Sequence, residues 1–120
     1  MWKIVKKYSK MYSEGKIMIN VTKENFDAEI EKSERLCVVD LYADWCGPCR
    51  ALSVALTALE AEYTDIKFCK INVDEQEELA RLFHVESIPL VAFVKNGTYL
   101  DMSVGLVPKA ALARMIEEYK

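Results

Sequence analysis

Cys46 and Cys49 enclose Gly47 and Pro48, and this C-x-x-C pair is the part of the chain best equipped for covalent chemistry. Residues 36–42, Leu-Cys-Val-Val-Asp-Leu-Tyr, precede it as a short apolar run with β-branched members, the mark of a buried strand. Leu52, Leu56, Leu59 and Tyr63 follow at i, i+4, i+7 and i+11, one face of a helix of several turns. The cysteines therefore stand where a buried strand passes into a helix N-terminus. Unpaired N–H groups and the positive end of the helix dipole at that place stabilise a thiolate at Cys46. Two intervening residues put the sulfurs one helical turn apart, within disulfide reach without backbone movement. Pro48 suits the first turn, where its missing N–H is no loss, and Gly47 suits a tight entry. The chemistry this placement suits is thiol–disulfide exchange. Cys46, at the exposed helix tip, would attack a disulfide; Cys49, one turn further in, would then attack Cys46 Sγ and release a dithiol. The competing chemistry is half of a zinc site, which needs four Cys or His ligands. Only His84, Cys37 and Cys69 remain, and the two cysteines fall in apolar strands that do not reach the helix mouth.

The run Asp44-Trp45-Cys46-Gly47-Pro48-Cys49-Arg50 is flanked by Asp40, six residues before Cys46, and by an Ile88-Pro89 pair well downstream. Together these resemble the thioredoxin family, and the similarity extends from about Ile17 to the C-terminus. The resemblance implies the thioredoxin fold and a protein-disulfide reductase using a Cys46–Cys49 redox disulfide. It implies that Asp40 lies beneath the active-site helix and takes the proton from Cys49, with Lys70 nearby. Read from sequence alone, Asp40 is equally a hydrated strand end and Lys70 a solvated edge residue. The resemblance makes Ile88-Pro89 a cis-proline loop facing the cysteines, although an X-Pro bond is cis in only ~5% of folded cases. Trp45 is then a shield for the disulfide and a partner contact, and Gly47, Pro48, Ile88, Pro89 and Gly105 line the substrate groove. Otherwise Trp45 is a half-buried surface aromatic and Gly105 a turn residue. The family needs no cofactor or metal. Its partners are disulfide-containing substrate proteins and a flavin- and NADPH-dependent thioredoxin reductase. Pro48 matches the reducing members; an isomerase or oxidant on the same scaffold and a binding module without turnover are the rivals. Binding alone needs neither thiol, so the intact pair argues against the last. Three positions depart from the family pattern: Tyr42 replaces a common Trp, Val54 a helix-kinking proline, and Leu90 the usual Thr. They bear on substrate choice, not on the dithiol.

Further elements must position these residues. Residues 17–21 are expected to form a first strand, and Thr22 an N-cap for a short helix carrying Phe26 and Ile30. A strand over 66–73 follows the long helix. Asp74 and Glu77 match a capping box, opening a helix that buries Leu79, Leu82 and Phe83. Residues 90–94 and 98–104 flank Asn96-Gly97, a strong hairpin signal. Pro108 fits the first turn of a last helix with Leu112, Met115, Ile116 and Tyr119 on its apolar face. The order βαβαβαββα requires parallel pairing in the opening units, an antiparallel hairpin at the end, and one mixed sheet with helices on both faces, an α/β fold. Cys37 and Cys69 lie an odd number of residues from Asp40 and Lys70, which places them on the opposite sheet face as core thiols. His84 follows a helix and is expected to be solvated.

One domain is the expectation for 120 residues, 52% of them hydrophobic and 29% charged. A net charge of −3 gives no general footprint for nucleic acid, and a monomer is expected. No apolar run approaches the ~20 residues that span a bilayer. The N-terminus lacks a secretory apolar region and cleavage site, and four cysteines, two in strands, make a poor secreted framework. A reducing cytoplasm is the expected location. Residues 1–16 differ from the rest, the domain proper being 17–120: five lysines against Glu14 give +4, leaving 11 basic and 18 acidic side chains, −7, beyond them. Met1, Ile4, Val5, Tyr8, Met11 and Tyr12 form an apolar stripe between the lysines, a basic amphipathic helix. A helix packed on the domain or a frayed tail, a membrane-surface contact, a targeting segment, and translation from Met18 all stand open.

Overall fold

The computed structural model describes residues 18–120 of the protein. The basic helix expected over 1–16, and Ile17 where the domain was expected to begin, lie outside the described residues. Five strands build one sheet: β1 (Ile19–Asn20), β2 (Cys37–Tyr42), β3 (Lys67–Asn72), β4 (Leu90–Lys95) and β5 (Thr98–Val104). Their spatial order is β1-β3-β2-β4-β5. β1 and β2 run parallel to β3, because helical crossovers return the chain to the same end of the sheet. β4 turns antiparallel to β2 and pairs with β5 as a hairpin. Asn96 (φ 52°) and Gly97 (φ 73°) form the turn, both in the left-handed region that a two-residue hairpin loop demands.

Three helices, α1 (Gly47–Glu62), α2 (Glu77–Leu82) and α3 (Lys109–Tyr119), and a π-helical turn at Asp27–Glu31 cover the sheet. On one face Val38, Phe68, Val91 and Phe93 pack against Leu52, Leu56 and Leu59 of α1 and Leu112 and Ile116 of α3. On the other, Cys37, Val39, Leu41, Cys69 and Ile71 pack against Ile30, Leu79 and Phe83. Each fully buried Leu, Ile or Phe contributes about 1.5–3 kcal/mol of transfer free energy, so both layers are needed to offset chain entropy. The mixed sheet with helices on both faces is the architecture that the element order required. Cys37 and Cys69 are free, fully buried thiols on the face away from Asp40, as strand parity demanded. His84 is exposed, with φ 55°.

Local details differ from the sequence expectation. Strand pairing in β1 is limited to Ile19–Asn20, although Val21 N–H still donates to Lys70 O at 2.9 Å. Thr22 is not a side-chain cap: its C=O accepts from Phe26 N–H, and its own N–H donates to Asn25 Oδ1. The segment it opens widens into π geometry rather than an α-helix, closed by the i→i+5 bond from Lys32 N–H to Asp27 O. Asp74 and Glu77 form no capping box. Asn72 Oδ1 accepts from the N–H groups of Asp74 and Glu75 instead, and α2 begins at Glu77 with Gln76 preceding it. Leu82 is not buried but 55% exposed; Leu79 and Phe83 alone carry that helix into the core. Pro108 precedes α3 as its cap residue, one position earlier than a first-turn place.

Candidate active site

Strand β2 delivers the site. Its last residues, Leu41 and Tyr42, run into Ala43-Asp44-Trp45, and Cys46 then caps α1 with an extended backbone. Cys49 N–H donates to Cys46 Sγ at 3.1 Å, so the sulfur accepts one of the N–H groups left unpaired at the helix start. Cys46 and Cys49 are joined in a disulfide with their Cα atoms 5.2 Å apart, inside the normal bridging range. A Cys46 thiolate formed on reduction keeps the N–H donor and the positive helix end. The expectation that Cys46 is exposed needs correction for this oxidised state: Cys46 is 4% and Cys49 2% exposed. Ala43, Tyr42, Val73 and Ile88 pack on the pair and cover it. Gly47 and Pro48 are exposed at the helix tip.

The outer rim gathers residues far apart in sequence. The Ile88-Pro89 bond is cis, and Ile88 packs on the disulfide cluster. Gly105 N–H donates to Pro89 O at 2.8 Å, which ties the start of the last loop to the proline. Gly105 has φ 90°, a conformation that disfavours any side chain. Among the described residues, neither the N–H nor the C=O of Ile88 has a backbone partner, leaving both free for an extended chain laid across the rim. Trp45 is 70% exposed rather than half-buried, and its Nε1–H donates to the Asp74 carboxylate at 2.8 Å. Asp74 is a residue that sequence reasoning assigned to a cap and whose role at the rim it missed.

Beneath the disulfide lies a cavity of about 440 Å3, lined among others by Cys49, Asp40 and Lys70. Asp40 pairs in register with Lys70 across β2 and β3. It is 3% exposed, and burial pushes its carboxyl up to about 7, against the pull of the Lys70 charge. Asp40 is thus a buried carboxyl facing a cavity and not a strand end open to bulk solvent. Glu60, on the face of α1 that continues from Cys49, lines the same cavity, and burial pushes its carboxyl up to about 7 too. Its only sequence signal was its place at i+4 from Leu56, at the edge of the apolar stripe. The structure thus brings Cys49, Asp40 and Lys70 together inside, and Trp45, Gly47, Pro48, Ile88, Pro89 and Gly105 outside. Among the described residues no group of three or more His, Cys, Asp or Glu side chains could hold a metal ion. Val54 is 72% exposed on the outer side of α1 and touches none of this.

Two cysteines at a helix tip, joined in a disulfide over a buried acid, are the arrangement of a dithiol–disulfide oxidoreductase. The thioredoxin family model matches residues 17–118, and the chain belongs to the thioredoxin family. Thioredoxin from Streptomyces clavuligerus is 38% identical over 98 residues, covering 82% of this chain and 92% of that protein. Thioredoxin M5, chloroplastic, from Oryza sativa is 38% identical over 97 residues, covering 80% of this chain but only 56% of its own length. In structure, a mutant thioredoxin from Halobacterium salinarum superposes with a TM-score of 0.80 at 31% identity, covering 88% of this chain and 93% of that one.

Proposed function

We propose that the protein is a reducing electron carrier that opens disulfides in protein substrates and is itself recharged by a flavin- and NADPH-dependent thioredoxin reductase. In this reading Cys46 thiolate attacks the substrate disulfide, and one substrate sulfur leaves with its electron pair. Cys49 gives its proton to the Asp40 carboxylate and attacks Cys46 Sγ, which frees the second substrate sulfur. Lys70 holds Asp40 partly ionised so that it can accept. Ile88 offers its backbone groups to an extended substrate segment, while Trp45, Gly47, Pro48, Pro89 and Gly105 shape the contact. The observation that carries the reading is the Cys46–Cys49 disulfide at the start of α1 with a buried carboxyl behind Cys49. The domain acts as a monomer in the cytoplasm. Two further cysteines, Cys37 and Cys69, left as free thiols in the core, support a reducing compartment; relatives in chloroplasts are the alternative that fractionation decides.

The test is NADPH oxidation coupled through a thioredoxin reductase to reduction of a disulfide-bonded protein. Turnover that requires this protein supports the proposal; no turnover with a reductase that reduces other thioredoxins overturns it. A reduction potential well above that of the glutathione pool would instead mark an oxidant or isomerase.

A further inference from the structure

Four polar or charged residues are buried among the described residues: Ser33, Asp40, Glu60 and Asn72. Ser33 Oγ donates to Arg35 O, and Asn72 Oδ1 accepts two backbone N–H groups. Asp40 Oδ1 and Glu60 Oε1 have no partner among the described residues, and both acids line the same cavity. An unbonded carboxyl is expensive to bury unless water reaches it. We propose that Glu60 is the second proton-holding residue of the dithiol site, taking up through cavity water the proton that Asp40 receives from Cys49. This rests on the role given to Asp40 above.

The cavity is built for such a path. Cys49, Ser53, Thr57 and Glu60 fall at i, i+4, i+8 and i+11 on α1, and all four line it. Eleven residues at ~1.5 Å each put Glu60 roughly 16 Å along the helix from Cys49, too far for direct transfer. Between them Ser53 Oγ donates to Arg50 O and Thr57 Oγ1 to Ser53 O. Each hydroxyl oxygen keeps a lone pair free to accept from water, at the partly exposed Ser53 and the exposed Thr57 on the rim of the cavity. At about 440 Å3 the space holds a chain of several waters. Among the described residues, the other charged or titratable groups lining this cavity with Glu60 are Asp40 and Tyr42 from β2, Asp44 from the loop, Cys49 and Arg50 from the start of α1, and Lys70 from β3. Arg50 is engaged with Asp44 O, and Lys70 stands opposite Asp40. Burial raises both carboxyls into the neutral range, so each can hold a proton near pH 7.

In the step itself, the Cys49 S–H bond breaks, the Cys49–Cys46 bond forms, and the bond from Cys46 to the substrate sulfur breaks with its electron pair. The Cys49 proton goes to Asp40, then by water to Glu60. Glu60 acts through Asp40 and is a positioning residue for that proton.

Reaction of the reduced protein with an aryl disulfide releases one coloured thiolate on attack by Cys46 and a second on resolution by Cys49, separable by stopped flow. Glu60→Gln should leave the first phase unchanged and slow the second about fivefold near pH 7. The deficit should vanish above pH 9, where hydroxide takes the proton. Glu60→Ala should show the same deficit, with added imidazole restoring the rate through the vacated space. Asp40→Asn, run beside it, tests the underlying reading: a normal second phase there overturns Asp40 and Glu60 together. A slow second phase in Asp40→Asn with a normal one in Glu60→Gln at every pH overturns Glu60 alone. A deficit in Glu60→Gln that is equal at all pH values marks a structural role and overturns the proposal as well.

Discussion

Replacing Asp40 by Asn should stabilise the oxidised protein at high pH and not at low pH. In the unfolded chain an aspartate titrates near ~3.9, whereas burial carries the native carboxyl to about 7. Between those values the native state holds a proton that the unfolded chain has released. Stability therefore falls as pH rises through that window and levels off above 7. A gap of about three pH units at ~1.4 kcal/mol each makes ionised Asp40 cost on the order of 4 kcal/mol. Asn is neutral throughout, but its amide must itself be accommodated beside Lys70, at a cost of about 1–3 kcal/mol. The net gain at pH 8 is then about 1–3 kcal/mol, and at pH 4 the variant should be no more stable than the parent. Urea unfolding of the oxidised forms at pH 4, 6 and 8 reads this directly, because neither active-site cysteine titrates. Repeating the pair in a Glu60→Gln background removes the second acid of the same cavity. The slope of the transition should be unchanged. An Asn variant less stable at pH 8, or a difference that does not move with pH, would refute the argument. It would mean that Lys70 holds the carboxylate charged and that burial is not the dominant effect.

Other consequences are open to simpler measurements. A chain starting at Met18 should melt and reduce disulfides as the full chain does; flotation of only the longer form with anionic vesicles would give residues 1–17 a membrane role. In that shorter chain Trp45 is the sole tryptophan, so Asp74→Ala should lower its fluorescence anisotropy by removing the indole tether, with less than about 1 kcal/mol lost. An unchanged anisotropy would show that the bond does not order Trp45. Gly97 and Gly105 both have left-handed backbones, but a Cβ at Gly97 meets Glu31 O at 3.0 Å while one at Gly105 meets nothing within 4 Å. Ala at Gly105 should cost about 1–2 kcal/mol and Ala at Gly97 more, and equal losses in denaturant melts would count against the contact.

Much of this was legible in the sequence because its signals are local. The apolar run into Cys46, the leucine stripe of α1 and the Asn96-Gly97 turn each specify an element without outside help. Strand parity alone separated Cys37 and Cys69 from Asp40. What sequence could not show depends on neighbours distant in the chain. Asp74 matched a cap by spacing, yet its carboxylate is taken by Trp45, 29 residues away, and Asn72 holds the turn before α2 while the helix itself has no side-chain cap. Glu60 looked like one more helix-surface acid, since nothing local says that this face of α1 lines a cavity. Leu82 sat on the expected apolar face, but a helix of six residues turns only Leu79 fully inward. The cis bond at Pro89 is set by tertiary contacts, and only family resemblance raised it above the base rate.

The central claim is that Cys46 attacks and Cys49 resolves. Each should be replaced by Ser, and the two reduced variants exposed to cell extract and run on non-reducing gels. Cys49→Ser keeps the sulfur at the helix N-terminus and should accumulate covalent complexes with substrate proteins that reductant releases. Cys46→Ser should trap none, because the remaining thiol lies one turn inside the helix and lacks the N–H donor that Cys46 Sγ has at the helix start. If Cys49→Ser captures no more protein than Cys46→Ser does, the assignment of roles is contradicted, and with it the mechanism built on that order.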